Sequence, residues 1–136
     1  MANLIILSFF ISTAIAQYQP EAENTRDLRE NKIIFSIKDT KSKREIHLER
    51  SANQEHFLKD SQKDFPLKLP HEQAHKIDLE YSSLFLKWMY GDSVKFDNCE
   101  NYYNLEMKGE QYKFCQLDKT KTKELKRFTQ KLNKLK

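Results

Sequence analysis

The alternation of hydrophobic and polar residues predicts a β-hairpin between residues 32 and 50. Hydrophobic residues occupy every second position over 33–37 and again over 46–48, on either side of the polar segment DTKSK. A period of two residues is typical of strands that bury one face. One register pairs residues of matching hydrophobicity or opposite charge: Phe35 with Leu48, Ile37 with Ile46, Lys38 with Glu45, and Asp39 with Arg44. Because both kinds of complementarity favour this register, we predict it for the hairpin.

A second hairpin is predicted around the dipeptide Lys108-Gly109, which suits a two-residue turn. Pairing outward from this turn matches the flanking positions as follows: Tyr103 with Phe114, Asn104 with Lys113, Leu105 with Tyr112, and Glu106 with Gln111. In this register Cys115 lies opposite Tyr102 and not opposite Cys99. A bond between the two cysteines would therefore tie the second strand to the segment DNCEN, which precedes the first strand.

Residues 71–90 carry two conflicting patterns. One set of apolar residues recurs at the helical spacings of three and four: Ala74, Ile77, Tyr81, Leu84 and Trp88. Over 84–90, however, apolar residues also alternate as they would in a strand. We predict a helix over 71–80, a break near Ser82-Ser83 and a strand over 84–90, because LFLKWMY is rich in aromatic residues and is followed by Gly91-Asp92.

The remaining segments complete an α+β prediction. The polar stretch 51–64 fits either a short helix capped by Ser51 and Gln54 or a long connection. FPLKLP predicts only a short strand at a sheet edge, since proline donates no ladder hydrogen bond. Near the C-terminal end, hydrophobic residues recur at helical spacings: Leu125, Phe128, Leu132 and Leu135. We therefore predict an antiparallel sheet of two hairpins plus the strand at 84–90, covered by a C-terminal amphipathic helix.

Residues 1–16, MANLIILSFFISTAIA, predict a secretory signal peptide. They contain no charged residue and end in the small-x-small sequence Ala14-Ile15-Ala16. A retained membrane anchor fits less well, because the apolar run is short and contains serine and threonine. Cleavage after Ala16 would leave a mobile N-terminal tail at 17–31 and a single α+β domain at 32–136. We expect a secreted or periplasmic protein with no transmembrane segment after cleavage, and both bacterial and eukaryotic export fit.

Cys99 and Cys115 are the only cysteines in the chain. An even number of cysteines in an exported protein predicts a disulfide. Closing this loop would remove denatured-state entropy worth about 3 kcal/mol. Two free thiols are expected instead if the chain is not exported.

Basic residues are concentrated near the C-terminal end. The chain has 24 Lys and Arg against 20 Asp and Glu, a net charge of +4, whereas residues 118–136 alone hold eight basic and two acidic residues. A cationic helix can bind phosphate, an anionic glycan or an acidic lipid surface, and the candidate anion-binding residues are Lys123, Lys126 and Arg127. The alternative is a solvated outer face. Phe128 belongs to the apolar stripe, so the helix lacks the aromatic platform that would signal nucleic-acid binding.

The sequence HEQAH resembles the H-E-x-x-H motif of zincin metallopeptidases over these five residues. On a helix, residues four apart share a face and can present two imidazoles to one zinc ion. The resemblance implies that His71 and His75 are zinc ligands and that Glu72 is the general base. The family also requires a third ligand.

Several features argue against this zinc site. An aspartate and a tyrosine occupy the positions of the glycine and third histidine of the longer motif, and Glu100, the other carboxylate available, lies in a predicted turn. Pro70 would place the first histidine in the first helical turn. A solvated helix start explains the same residues, because Glu72 would complement the helix dipole and pair with Lys76. We therefore predict neither a metal nor another cofactor.

The sequence contains no complete catalytic set. We predict a secreted or periplasmic binding module without catalytic activity, either an inhibitor or an accessory protein that contacts another protein. The first alternative is a small HExxH zinc metallopeptidase. The second is an anion- or membrane-surface binder that uses the basic C-terminal helix.

Overall fold

In the residues that the computed structural model describes, 31–91 and 99–135, six strands form one antiparallel sheet and two helices lie on it. The elements in chain order are β1 (Lys32–Asp39), β2 (Arg44–Arg50), β3 (His56–Asp60), β4 (Leu67–Leu69), α1 (His71–Gly91), β5 (Tyr102–Met107), β6 (Glu110–Cys115) and α2 (Lys119–Asn133). The strand order is β4-β3-β2-β1-β5-β6. The predicted signal peptide at 1–16, and all but the last residue of the predicted tail at 17–31, lie outside the described residues.

Both hairpins have the predicted registers, and every predicted pair is formed. Lys108 and Gly109 have φ angles of 50° and 80°, as a type I′ turn between two strands requires. The two hairpins meet where β1 pairs with β5, and Ile37 there lies opposite Leu105. A register shift in β1 between Ile33 and Phe35 is a bulge, and it leaves Ile34 as an extra residue on that strand.

The predicted strand at 84–90 is wrong, because α1 continues through Ser82-Ser83 to Gly91 without a break. Its buried residues recur at helical spacings: Ala74, Ile77, Tyr81, Phe85 and Trp88. Leu86 and Tyr90 face outward instead and are 42% and 77% exposed. The alternation over 84–90 was misleading because apolar residues lie on both faces of the helix in this segment, and only one face packs on the sheet.

The segment 51–64 contains β3 and is neither a short helix nor a plain connection. Ser51 does act as a cap, but of a turn: its hydroxyl accepts a hydrogen bond from the Glu55 amide at 3.2 Å, and Gln54 has a φ of 64°. The strand predicted within FPLKLP is confirmed as β4, which is three residues long and lies at the sheet edge. The sheet therefore extends two strands beyond the first hairpin.

Both helices pack on the same face of the sheet, so the C-terminal helix covers it only in part. Phe35 at the centre of β1 lies within ring contact of Tyr81 in α1, at 4.1 Å between centroids, and of Phe128 in α2, at 6.1 Å. The predicted stripe of α2 is confirmed for Leu125, Phe128 and Leu132, which are all buried. Its fourth residue, Leu135, lies beyond the end of the helix and is partly buried against the core. The core is a single layer of side chains between the sheet and the helix pair.

Tyr81 connects α1 to the two central strands through its hydroxyl. Its hydroxyl lies 2.9 Å from the Ser36 carbonyl oxygen in β1 and 2.8 Å from the Glu106 carbonyl oxygen in β5. A phenol carries one proton, so the two carbonyls share it. Burial raises the pKa of Tyr81 far above its usual value, and the hydroxyl therefore stays protonated as a donor.

The predicted disulfide is present between Cys99 and Cys115, whose Cα atoms are 5.9 Å apart. Cys115 lies opposite Tyr102 in the β5–β6 register, as expected. The bond ties the end of β6 to the chain that enters β5. Neither helix in the described residues combines the length and the apolar character of a membrane span.

Candidate binding groove between the helices

The helices α1 and α2 run antiparallel across the sheet and are joined by two ion pairs. The Glu80 carboxylate is 3.4 Å from the Lys131 ammonium, and the Lys87 ammonium is 3.2 Å from the Glu124 carboxylate. Exposed pairs of this kind add little to stability. Their value here is that they define the alignment of the two helices.

A cap explains where α2 begins. The Asp118 carboxylate accepts a hydrogen bond from the Lys121 amide at 3.2 Å, which satisfies one of the free amides at the helix start. The ammonium of Lys121 also donates to the Tyr112 hydroxyl at 2.6 Å. The start of α2 is thereby attached to β6, next to the end of α1.

The surface between the helices is a groove, which we call the α1–α2 groove. Its larger depression has a volume of about 640 Å³ and includes the apolar side chains of Leu79, Leu84 and Phe128. A smaller depression of about 150 Å³ continues it toward the start of α1 and the end of α2. The ion pair of Glu80 with Lys131 lines both depressions. The groove is therefore apolar at its base and charged at its rims.

The outer face of α1 beside this groove carries three exposed hydrophobic side chains. Leu79, Ser83, Leu86 and Tyr90 are exposed and recur at spacings of four, three and four residues, which places them in one line along a helix. Leu79 is 58% exposed. A line of exposed apolar residues on a folded protein is a common mark of an interaction site.

The outer face of α2 is basic. Five basic residues in this helix or just after its end are exposed and form no ion pair within the described part of the chain: Lys119, Lys123, Lys126, Arg127 and Lys134. The only carboxylate inside the helix, Glu124, is already paired with Lys87. The molecule thus presents an apolar line and a basic line on adjacent helices.

The three predicted anion-binding residues do not converge on one pocket. Arg127 lines the larger depression of the α1–α2 groove. Lys126 lines a different cavity of about 140 Å³, between α2 and the sheet, together with Asp39 and Arg44. Lys123 lies one turn before them on the exposed face. They form part of a basic surface, and only Arg127 belongs to the groove.

The HEQAH sequence forms the first turns of α1. His71, Glu72 and His75 are all exposed, and the two imidazole centroids are 6.3 Å apart. His56 from β3 is a further imidazole, 5.4 Å from that of His71. Burial, reinforced by repulsion from His71, lowers the pKa of His56, against an opposing effect of Asp78. Among the described residues, no group of three or more His, Cys, Asp or Glu side chains has the arrangement of a metal site.

No pattern in the sequence predicts the contact between His56 and His71. His56 lies in the polar stretch 51–64, and its position depends on the pairing of β3 with both β2 and β4. Two residues 15 positions apart are brought together only by that pairing.

The uncovered face of the sheet carries a charged cluster around Glu49. Its carboxylate lies 2.8 Å from the His47 imidazole and 2.8 Å from the Lys59 ammonium. Burial would raise the pKa of Glu49, but the hydrogen bonds and charges of Lys59 and His47 outweigh it and lower that pKa. Ser36 lies opposite His47 in the register but is only 3% exposed. A serine hydroxyl beside a histidine can act as a nucleophile only if a substrate can reach it, and Ser36 is too buried for that. We therefore interpret this cluster as structural.

Comparison with protein-family models, with curated proteins and with solved structures finds no match to this chain. The geometry of its own residues is therefore the basis for assigning a function. Within the described residues, the α1–α2 groove with its apolar and basic borders is the feature that most favours a binding role.

Proposed function

We propose that this protein is a secreted or periplasmic binding module without catalytic activity, which contacts another protein through the α1–α2 groove. Its role would be that of an inhibitor or an accessory protein. The observation that carries the proposal is the groove of about 640 Å³, bordered by the exposed apolar line of α1. Concave surfaces with apolar bases and charged rims are typical of recognition sites.

The exposed leucines give a rough scale for the affinity that such a contact could reach. Leu79 and Leu86 are 58% and 42% exposed, so covering both would contribute on the order of 2 kcal/mol. Micromolar binding requires about 8 kcal/mol. A partner must therefore also fill the groove and meet its charges, and a contact with the outer face of α1 alone would be too weak.

Site-specific photocrosslinking tests the proposal. A benzophenone amino acid placed at Leu79 or at Leu86 should give a saturable adduct with one protein in the natural secretion medium or periplasm. Lys41 is exposed in the β1–β2 turn and serves as the control position. Leu79→Glu should remove the adduct formed from position 86 while leaving the circular dichroism spectrum unchanged. Absence of an adduct at both leucine positions, or equal adducts at Lys41, would contradict the proposal.

The export part of the proposal rests on the predicted signal peptide and is supported by the disulfide, which is typical of oxidising compartments. The mature protein should begin at Gln17, as judged by intact mass and N-terminal sequencing of material recovered outside the cytoplasm. Recovery of chains that retain residues 1–16 in the cytoplasm would contradict it.

A second candidate function is binding to an anionic surface through the basic face of α2. The observation that favours it is the set of exposed α2 cations without ion partners in the described residues. Replacing Lys123, Lys126 and Arg127 with Gln should then weaken binding to phosphatidylglycerol vesicles or to heparin, and added salt should do the same. The fold should persist, because exposed charges contribute little to stability.

A further inference from the structure

The charges in and around the α1–α2 groove are unevenly balanced. The carboxylates of Glu80 and Glu124 are neutralised by Lys131 and Lys87. Lys76, which lines the smaller depression, and Arg127, which lines the larger one, form no ion pair within residues 31–91 and 99–135. The groove therefore offers two uncompensated cations, one in each depression.

The helix alignment gives the distance between these two cations along the groove. Glu80 faces Lys131, and the helices are antiparallel, so Arg127 lies beside residue 84 of α1. Lys76 is eight residues before residue 84, which corresponds to about 12 Å along the helix axis at about 1.5 Å per residue. An occupant with the same rise would place carboxylates seven or eight residues apart to reach both cations.

The surface between the cations combines apolar side chains with the ion pair of Glu80 and Lys131. Leu79 and Leu84 of α1 and Phe128 of α2 lie there, at the base and edge of the larger depression. Consider a helix that carries two carboxylates about two turns apart. The residues three and four positions after the first carboxylate would lie on the same face and point toward this base. If those residues are leucines or similar side chains, they fill the depression while the carboxylates pair with the rims.

We propose that the segment bound in the α1–α2 groove is an acidic amphipathic helix of a partner protein, with carboxylates about two turns apart and apolar residues between them. This inference rests on the proposed function and adds the chemistry of the partner. A third helix suits the furrow between two packed helices, whereas an extended strand would seek a sheet edge for its backbone hydrogen bonds. A bilayer surface is less suitable, because it cannot fill a concave depression.

A second copy of this chain is a poor occupant. In the described residues, α1 presents an apolar outer line and α2 a basic one, and neither offers paired carboxylates around an apolar strip. Basic faces of two copies would repel each other at the rims. Neither helix of the described residues therefore supplies the acidic segment, and the inference commits to a helix of a different protein.

A labelled synthetic helix tests this inference directly. The probe is a fluorescein-labelled peptide of about 18 residues, long enough to hold helical structure, with two glutamates seven residues apart and leucines between them. Its binding to the disulfide-intact protein is followed by fluorescence anisotropy. Lys76→Glu and Arg127→Glu should each weaken binding by about tenfold, whereas the matched control Lys41→Glu should leave it unchanged.

Charge exchange supplies the sharpest result. A peptide in which lysine replaces both glutamates should bind the native protein weakly. The same peptide should bind the double variant Lys76→Glu/Arg127→Glu more tightly. A folding defect in the variant could not produce this gain. Circular dichroism and the melting temperature of each variant are measured alongside.

The outcomes separate this inference from the function on which it rests. Failure of the acidic peptide to bind saturably, an equal effect of Lys41→Glu, or binding of phosphatidylglycerol vesicles without binding of the peptide would each overturn the acidic-helix inference. A photoadduct at Leu79 would still support the binding function in those cases. Absence of both the adduct and peptide binding would overturn both proposals.

Discussion

Removing the hydroxyl of Tyr81 should weaken the attachment of α1 to the centre of the sheet. This side chain is 1% exposed, and its hydroxyl lies within 2.9 Å of one carbonyl oxygen on β1 and 2.8 Å of another on β5. Tyr81→Phe keeps the ring and its stacking on Phe35, at 4.1 Å between centroids. The substitution therefore removes a hydrogen-bond donor without opening a large cavity.

The expected loss follows from the burial of the groups left behind. Depriving a buried acceptor of its partner costs about 1–3 kcal/mol, and the single phenol proton serves both carbonyls, so the same range applies to the pair. For a domain of about 100 residues, each 1 kcal/mol lowers the melting temperature by roughly 4–8 °C. The Phe variant should therefore melt measurably earlier than the native protein.

Urea denaturation provides the measurement. The urea concentration at the midpoint of unfolding should be lower for Tyr81→Phe than for the native protein. The slope of the unfolding free energy against urea concentration should stay the same, because the surface exposed on unfolding does not change. Tyr90→Phe is the matched control, because Tyr90 is 77% exposed and its hydroxyl is accessible to water. If both variants unfold at the same urea concentration, the shared hydrogen bond does not stabilise the fold and the reasoning fails.

Three further predictions concern the disulfide, metal content and pH. Reducing the disulfide should lower the free energy of unfolding by about 3 kcal/mol, measurable in the same urea titration; an unchanged midpoint would contradict this. Protein purified without chelator should contain no stoichiometric zinc by elemental analysis, whereas zinc lost in His75→Ala together with peptidase activity lost in Glu72→Gln would establish the metallopeptidase alternative. Burial by itself would raise the pKa of Asp60, but the hydrogen bond and charge of Arg44 help to lower it overall. This carboxylate should therefore stabilise the fold above its unfolded pKa of about 3.9 and lose that contribution as the pH falls through the lower folded value. Asp60→Asn should give a flatter acid titration of stability, and a titration as steep as that of the native protein would exclude this contribution.

Local pairing rules were sufficient to predict much of the sheet. The registers of the two hairpins follow from side-chain alternation and from turns of known geometry, because a one-residue slip would move every buried side chain to the solvent face. The two-residue turn at Lys108-Gly109 could be identified from that dipeptide alone. The edge position of β4 follows from the flanking prolines. The amphipathic stripe of α2 could also be predicted, since its apolar residues recur only at the helical spacings of three and four.

Tertiary structure decided the elements whose sequence fits two periods. Residues 84–90 satisfy the strand and helix patterns together, and they are helical because Phe85 and Trp88 continue the face that Tyr81 packs on the sheet. β3 lacks a clear pattern and becomes a strand by pairing with its neighbours on both sides. Propensity is a weak term, and packing against a distant partner outweighs it in such segments.

The candidate groove depended on tertiary structure in the same way. The sequence identified the basic residues of α2, including Arg127, but not the partner helix beside them. Only the packing of α1 beside α2 brings Leu79 and Lys76 next to that helix, and only the antiparallel alignment places Arg127 about two turns from Lys76. A sequence determines which residues can share one helix face or one strand face, because those periods are local. Which two faces meet depends on the free energy of packing the whole chain, and that term joins residues far apart in the sequence.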